Sequence, residues 1–289
     1  MHHLAGEPRP GSSVEVRIID VRDGRSHPRF DRIATEEPLE VRIRAGSETK
    51  TVAITMRTPG NDFELAAGFL YSEGVVGSLD DLRGISFCVD RDVAEEQRYN
   101  IVNADLATNA LPSLSGLERH FATTSACGVC GKATLEALSS RGIEPMDGKM
   151  EAACVKASTL SALPERLREA QGIFQKTGGL HAAALFDLDG DLIAIREDVG
   201  RHNAVDKVIG WALLRKTLPL SDRILMVSGR TSYEILQKAV VARIGIVCAV
   251  SAPSSLAVDL ARAFGVTLVG FLRGSHFNVY AGAERVGMA

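Results

Sequence analysis

The chain lacks the features that mark a membrane protein or a protein that binds duplex nucleic acid. No segment approaches the ~20 consecutive apolar residues of a membrane-spanning helix, and the first residues lack the apolar core of a signal peptide. Lys and Arg number 33 against 36 Asp and Glu, so the formal charge is −3 and no broad basic surface is expected. We therefore expect a cytoplasmic protein that binds neither membrane nor nucleic acid, although a local anion site remains compatible with this charge.

Cysteine is scarce, and two common nucleotide fingerprints are missing. The five cysteines are an odd number and do not resemble a secreted disulfide framework. Cys88 and Cys248 lie in apolar runs and are predicted to be inert thiols of the core. The sequence contains no Walker loop and no Gly-x-Gly-x-x-Gly motif, which argues against a mononucleotide hydrolase or a dehydrogenase. With 45% hydrophobic residues, the 289-residue chain can fold on a core of its own.

The sequence does contain one reactive feature, the thiol pair Cys127 and Cys130 in a loop of small residues at 123–132. A predicted helix follows at 133–138, and the partial positive charge of its N-terminus would favour a thiolate. Lys132 adds a cation nearby. Cys-x-x-Cys spacing serves zinc binding, disulfide exchange and sulfur relay alike, so the spacing leaves the reaction open.

Two parts of the chain differ in the order of their predicted elements. Residues 1–13 are rich in Gly, Pro and Ser and are predicted to form a flexible tail. Residues 14–140, which include the thiol loop, predict an α+β part. Residues 159–289 alternate short apolar strands with amphipathic helices, which predicts an α/β domain whose parallel strands are covered on both faces. The boundary is expected near residues 140–158.

The predicted elements follow from periodicity and from turn residues. A helix is expected from Asn61, as a capping residue, to Gly74, and Asp189 with Gly190 predicts the turn of a hairpin. The other predicted helices span 161–170, 203–214, 233–243 and 256–264. The predicted strands span 14–20, 39–44, 51–56, 85–89, 99–102, 182–186, 192–195, 223–227, 246–250 and 267–271.

Four loops of the second part carry residues that bind anions. Ligands of α/β sheets collect where strands end and helices begin. Any single loop of this kind is most simply explained by turn and capping chemistry, but four in one sheet, three of them with arginine, favour a ligand with more than one phosphate. The candidate residues lie at 252–255 and in the other three loops, where they are Gly200, Arg201, His202, Ser228, Gly229, Arg230, Thr231, Phe271, Leu272, Arg273, Gly274, Ser275 and His276.

Four motifs together resemble the FdhD family, the accessory sulfurtransferases of formate dehydrogenases. The run at 197–207 is specific enough to carry the resemblance alone, and residues 58–62 and 73–74 are also similar to the family. The resemblance extends from about the first strand to the C-terminus. The four motifs lie at 127–131, 177–183, 197–207 and 228–232.

The resemblance implies a sulfurtransferase that forms a cysteine persulfide. Its sulfur would come from a cysteine desulfurase and pass to the bis-guanine-dinucleotide form of the molybdenum cofactor, which formate dehydrogenase needs. The family's persulfide cysteine falls on Cys127, with Cys130 as its partner, and its cofactor-binding stretch falls on residues 271–276. The resemblance also implies a mixed sheet flanked by helices, similar to the cytidine deaminases, in the second part. It further implies a homodimer, and binding of GDP-like nucleotides that mimic the cofactor.

A deaminase-like fold raises the question of zinc at His181 and the thiol pair. The deaminase pattern requires a glutamate two residues after its histidine and a proline before its first cysteine. Those positions hold Ala183 and Ala126, and the cysteines precede the histidine, so we expect no catalytic metal. His181 either orients or protonates groups at the transfer site or is a hydrogen-bonded histidine at the start of a strand, and the sequence leaves both open. His202, at a helix start beside Arg201, is predicted to contact an anion.

Two other functions compete with sulfur transfer. One is a chaperone that holds and delivers the molybdenum cofactor without transferring sulfur. The other is a structural zinc protein, supported by spacing alone, whose ligands would be Cys127, Cys130, Cys154 and His181. The sequence identifies neither the desulfurase nor the formate dehydrogenase.

Overall fold

The computed structural model describes residues 11–90, 92–112, 138–146 and 155–287, without the side chains of residues 95 and 96. The thiol loop at 123–132, with Cys127 and Cys130, lies outside the described residues, as do Cys154 and most of the predicted tail at 1–13. Within the described residues, no helix is long and apolar enough to cross a membrane.

The first part of the chain contains a separate hairpin and a four-stranded sheet. The antiparallel hairpin was not fully predicted, because its second strand carries few apolar residues. In the sheet the order is β4-β3-β6-β5, and only β3 and β6 run parallel. The strands are β1 (Ser13–Arg22), β2 (Arg25–Ala34), β3 (Glu37–Ala45), β4 (Glu48–Arg57), β5 (Leu82–Phe87) and β6 (Ile101–Leu106), and the helices are α1 (Asp62–Ser72) and the short α2 (Glu95–Arg98).

Helix α1 begins and ends where the sequence predicts, but its N-terminus lacks the predicted side-chain cap. Asn61 adopts a left-handed backbone (φ 59°) and its side chain makes no capping hydrogen bond. At the other end, Gly74 (φ 78°) donates its N–H to the carbonyl of Tyr71, and Val75 donates to Leu70. This pair of bonds is a Schellman ending, which needs the left-handed residue that glycine supplies.

The second part is a six-stranded mixed sheet in the order β13-β12-β11-β10-β8-β9. Only β10, β11 and β12 are parallel; β8 is antiparallel to β10 and to β9, and β13 is antiparallel to β12. The prediction of parallel strands is therefore right for the centre alone. The strands of this sheet are β8 (His181–Phe186), β9 (Leu192–Asp198), β10 (Ile224–Val227), β11 (Ile246–Ala249), β12 (Thr267–Arg273) and β13 (His276–Ala281). Strands β7 (Val155–Lys156) and β14 (Val286–Gly287) form a separate parallel pair. The helices are α3 (Ala157–Ala170), α4 (Phe174–Thr177), α5 (Arg201–Leu214), α6 (Tyr233–Val241) and α7 (Ser255–Phe264).

Helices cover both faces of this sheet, as predicted. Alternate residues of β10 enter two different cores: Leu225 packs with α5, α6 and α7, whereas Met226 packs with α3. This alternation follows from the two-residue period of a strand. The α/β fold class with a smaller α+β part is confirmed, and the similarity to cytidine deaminases stays a prediction.

Two glycines allow the two parts to pack backbone against backbone. A Cβ at Gly68 of α1 would lie 1.8 Å from the carbonyl oxygen of Asp206, and one at Gly210 of α5 would lie 1.8 Å from that of Glu64. Any side chain at either position would force the helices apart. The first part is thereby fixed on the helix that begins at the predicted anion loop. The predicted division into domains stays a prediction.

Candidate functional site

The predicted anion loops meet at one edge of the six-stranded sheet. Strands β10 and β12 end at this edge, and because β8 is antiparallel to β10, its first residue, His181, lies there too. Strand β9 ends there at Asp198 and leads directly into α5. The edge therefore brings together His181 and the loops after β9, β10 and β12.

His181 packs against the loop that follows β10. The hydroxyl of Ser228 accepts the N–H of Ala182 at 2.9 Å, and the N–H of Ser228 donates to the carbonyl of Ala182 at 3.0 Å. These bonds hold the loop beside the imidazole. A Cβ at Gly229 would lie only 3.3 Å from His181 Nδ1, so glycine keeps this contact close.

A cavity of about 700 Å³ opens beside His181. Ser228 and the last two residues of β12, Leu272 and Arg273, form one side of it. Its other walls come from α3, α4 and the segment before β8, through Pro164, Leu167, Arg168, Gln171, Phe174, Gly178, Gly179 and Leu180, together with Val250. The structure thus joins residues of two predicted anion loops to His181 in one cavity.

Arg201 and His202 occupy the first turn of α5, earlier than the predicted helix start. His202 Nε2 lies 3.1 Å from Ser232 Oγ and 3.7 Å from Glu234 Oε2, so its partners are within the protein. His202 lines a second cavity of about 350 Å³ between the two parts, not the cavity beside His181. Arg201 Nε is buried and has no hydrogen-bond partner among the described residues.

Both histidines at this edge are held in the neutral form at neutral pH. Burial, and then the nearby Arg201 guanidinium, lower the pKa of His181. Burial and then Arg201, with smaller effects of Lys238 and His181, lower the pKa of His202 to about 4, and the opposing effect of the Glu234 carboxylate is too small to offset them. Arg201 therefore contributes fixed positive charge at the edge, and the two imidazoles contribute polar but uncharged groups.

Asp198 holds the backbone at the start of α5. Its carboxylate accepts the N–H groups of Gly200 at 2.8 Å and Thr58 at 3.2 Å, and the amide of Asn203 at 3.0 Å. Lys207 Nζ lies 2.7 Å from Asp198 Oδ2, and both side chains are almost completely buried. The sequence did not predict that Asp198 holds the backbone at Thr58, because the two residues are 140 positions apart in the chain.

Two other charged residues of the run at 197–207 also bind within the protein. Glu197 accepts the N–H groups of Ile173 and Phe174 at 2.9 and 2.7 Å, which caps α4. Asp206 bonds Lys238 of α6 at 2.8 and 3.0 Å and the hydroxyl of Ser72 in α1 at 3.0 Å. Most of this motif is therefore framework, whereas Arg201 Nε has no hydrogen-bond partner among the described residues.

The end of β12 and the turn after it, residues 271–276, present most of their polar side chains to solvent. Phe271 has φ 53°, its N–H donates to the carbonyl of Ser251 at 3.1 Å, and Leu272 is buried. Gly274, also at φ 53°, turns the chain, and Arg273, Ser275 and His276 are exposed.

The remaining predicted site residues lie in the loops after β10 and β11. Ser254 accepts the N–H of Ala257 at 3.3 Å, so the loop at 252–255 is a helix cap. Arg230 is exposed on its loop, whereas Thr231 is completely buried and its hydroxyl has no partner among the described residues.

The two described cysteines are core residues, as predicted. Cys88 and Cys248 are fully buried, and burial raises the pKa of both thiols. Cys127, Cys130 and Cys154 lie outside the described residues, and within those residues no group of three metal-binding side chains occurs. The zinc alternative therefore stays an untested hypothesis.

Comparisons with known proteins agree on one family. The FdhD/NarQ family model matches residues 34–287. Proteins named sulfur carrier protein FdhD are 52% identical over 273 residues in Streptomyces avermitilis (94% of this chain and 95% of the relative) and 51% identical over 261 residues in Mycobacterium tuberculosis (89% and 92%). A crystal structure described as a formate dehydrogenase accessory protein from Desulfotalea psychrophila matches the fold with a TM-score of 0.72 at 23% identity, covering 97% of this chain and 100% of that one. On the match of its sequence over most of its length, the chain belongs to the FdhD/NarQ family.

Proposed function

We propose that the protein is a sulfurtransferase that carries persulfide sulfur on Cys127 to the bis-guanine-dinucleotide molybdenum cofactor needed by formate dehydrogenase. Its relatives are named sulfur carriers, and its fold matches that of a formate dehydrogenase accessory protein. The single observation that supports cofactor binding most strongly is the cavity where His181, Ser228, Leu272 and Arg273 meet.

The loading step is a thiol exchange. The Cys127 thiolate attacks the outer sulfur of a persulfide on a cysteine desulfurase, and the bond between the two donor sulfurs breaks. The donor cysteine leaves as a thiolate, and Cys127 becomes the persulfide. Electrons balance without an external oxidant. Such thiol chemistry requires a reducing compartment, which supports a cytoplasmic location.

Delivery requires two electrons, because the outer sulfur must become sulfide. In the proposed step, the Cys130 thiolate attacks Cys127 Sγ and forms a disulfide. The outer sulfur leaves with the electron pair of the broken bond and is passed to the molybdenum of the cofactor, which is the substrate. A cellular dithiol then reduces the Cys127–Cys130 disulfide before the next cycle.

The cavity suits one nucleotide arm of this cofactor. Its volume of about 700 Å³ lies within the roughly 300–1,000 Å³ range of ligand pockets. The exposed Arg273 guanidinium can bind a phosphate through two parallel hydrogen bonds. Ser228 and the neutral His181 add donors or acceptors for a sugar or base. GDP is therefore the appropriate small probe for this cavity.

We also propose that the protein forms a homodimer. The β1–β2 hairpin leaves Ile19, Val21 and Phe30 between 61% and 65% exposed, and an isolated two-stranded hairpin is only marginally stable in water. A second copy on this surface would cover those side chains. Sedimentation of the Phe30→Glu variant should show monomers, and an unchanged sedimentation coefficient at matched concentration would contradict this interface.

The chaperone alternative differs in one measurable respect, whether a cysteine carries transferable sulfur. Wild-type protein incubated with a cysteine desulfurase and cysteine should gain the mass of a sulfur atom, and a peptide map should place that sulfur on Cys127. Cys127→Ala should gain none, whereas the control Cys88→Ala should gain as much as wild type. No sulfur on wild type would contradict the carrier function and favour the chaperone, whereas sulfur on Cys127→Ala would contradict the assignment of the persulfide to Cys127.

A further inference from the structure

Two buried polar side-chain atoms have no hydrogen-bond partner within the described part of the chain: Arg201 Nε and Thr231 Oγ1. Thr231 is completely buried. Buried polar groups in folded proteins are nearly always paired. Arg201 lies in the first turn of α5 and Thr231 in the loop after β10, at the same edge of the six-stranded sheet, so a bound group that satisfies both atoms is the simplest physical explanation.

Contacts on both sides of these atoms hold their two segments together. Gly229, two residues before Thr231, lies against the ring of His181. Ser232, the residue after Thr231, contacts His202, the residue after Arg201, at 3.1 Å. The charge of Arg201 also acts on both histidines. Arg201 and Thr231 therefore belong to one local cluster, and not to two separate surfaces.

Two helices begin at this cluster without a side-chain cap. Helix α5 begins at Arg201 after Gly200, and α6 begins at Tyr233 after Ser232, whose side chain accepts no hydrogen bond from the first turn. The N–H groups and partial positive charge of helix N-termini favour an anion. Asp198 is already bonded to Gly200, Asn203 and Lys207, so its charge is offset by these donors. Glu234, in the first turn of α6 and 3.7 Å from His202, is the carboxylate that would oppose an anion here.

We propose that Arg201 and Thr231 bind an oxyanion, with the guanidinium Nε–H and the Thr231 hydroxyl as donors. This site is distinct from the cavity at Arg273, which Arg201 and Thr231 do not line. The chemistry fits a phosphate of the cofactor or an oxo group on its metal. The inference depends on the proposed function for the molecule that carries the oxyanion, but binding of the oxyanion itself can be measured without sulfur transfer.

Calorimetric titration of the full chain with inorganic phosphate and with molybdate tests this site. We expect Arg201→Gln to weaken binding about 10-fold or more, since hydrogen bonds to charged groups contribute roughly 1.5–3 kcal/mol. Thr231→Val, which conserves shape, should weaken it by a smaller factor. Arg223→Gln, the same change at the opposite end of β10, should bind like wild type. Tighter binding of phosphate than of molybdate would indicate that the site binds a phosphate of the cofactor. Tighter binding of molybdate would indicate that it binds the metal end of the cofactor.

The histidines supply a second measurement that a purely structural role of Arg201 would not change. An anion that offsets the Arg201 charge should raise the pKa of His181 and His202, which NMR titration of the imidazole protons detects. The other charges that act on these rings are Asp198, Glu234 and Lys238, and all three are retained in the Arg201→Gln variant. In that variant the added anion should leave both pKa values unchanged.

Equal binding by wild type, Arg201→Gln and Thr231→Val, or no binding by wild type, would overturn the oxyanion site. Thermal unfolding of each variant identifies any that fails to fold, and Thr231→Val then tests the site without a change in charge. The test of the oxyanion site and the test of sulfur transfer can fail independently. A protein that gains sulfur on Cys127 but binds no oxyanion contradicts this inference alone, and one that binds the oxyanion but gains no sulfur contradicts sulfur transfer alone.

Discussion

Segment 197–207, which carries the family resemblance, differs from segment 271–276, where the resemblance implies cofactor binding, in where the side chains make contacts. In the first, Asp198 and Lys207 are buried and bonded to each other and to the first part of the chain. In the second, Arg273 and His276 are exposed at a turn. The difference teaches that a motif can be recognisable because it holds the fold. Under the proposed function, ligand binding would instead belong to exposed polar groups beside the cavity.

The strongest test of this comparison is to break the buried pair of the first segment. Lys207→Met keeps the volume but leaves Asp198 buried without its partner, which should lower the free energy of unfolding by about 3–5 kcal/mol. Urea denaturation followed by circular dichroism measures the change. Lys176→Met on the exposed surface of α4 is the control and should change stability by less than about 0.5 kcal/mol. A Lys207→Met protein as stable as that control would show that the segment is not framework.

The next test concerns the helix contact that fixes this framework to the first part. Gly210→Ala places a Cβ 1.8 Å from the carbonyl oxygen of Glu64, so α1 and α5 must separate. We expect a loss of about 1–3 kcal/mol. Gly84→Ala is the matched control because its Cβ would meet nothing within 4 Å. Equal unfolding midpoints for the two variants would contradict the backbone contact.

The exposed segment should respond in the opposite way. Arg273→Gln should change the free energy of unfolding by no more than about 0.5 kcal/mol, because the side chain is exposed. Its binding of GDP should weaken about 10-fold. Calorimetric titration measures the affinity, with Arg223→Gln at the opposite end of the sheet as the control. Unchanged GDP affinity in Arg273→Gln would remove this segment from the cofactor site.

The last test concerns the dependence of stability on pH. His202 has a pKa of about 4 when folded, below its ordinary value of 6.5, so the unfolded chain binds more protons between these pH values. Stability should therefore rise as pH increases from 4 to 6.5. His202→Gln should flatten that slope, and His27→Gln on the exposed hairpin should not. Identical pH profiles for His202→Gln and wild type would contradict the burial of a neutral imidazole.

The sequence predicted the elements of the fold better than the roles of its motifs. Periodicity located α1, α5, α6 and α7 to within a few residues, because each has an apolar face or is apolar throughout. It missed β2 because that strand is exposed over most of its length.

The framework around Asp198 could not be predicted, because its partners come from distant parts of the chain. Thr58 and Met56 meet Asp198 and Asn203 across 140 residues or more, and local spacing carries no information about such contacts. His202 illustrates the same limit: its anion contact stays a prediction, and its contact with Ser232, 30 residues away, could not be predicted from the sequence.

Transfer of labelled sulfur tests the central claim most directly. Protein carrying labelled sulfur on Cys127 should be mixed with formate dehydrogenase that contains the molybdenum cofactor but lacks its sulfur, and both the label and the enzyme activity should be followed. We predict that wild type passes the label to the cofactor and activates the enzyme, and that Arg273→Gln retains the label on Cys127. Activation without movement of the label, or equal transfer by Arg273→Gln and wild type, would contradict the account.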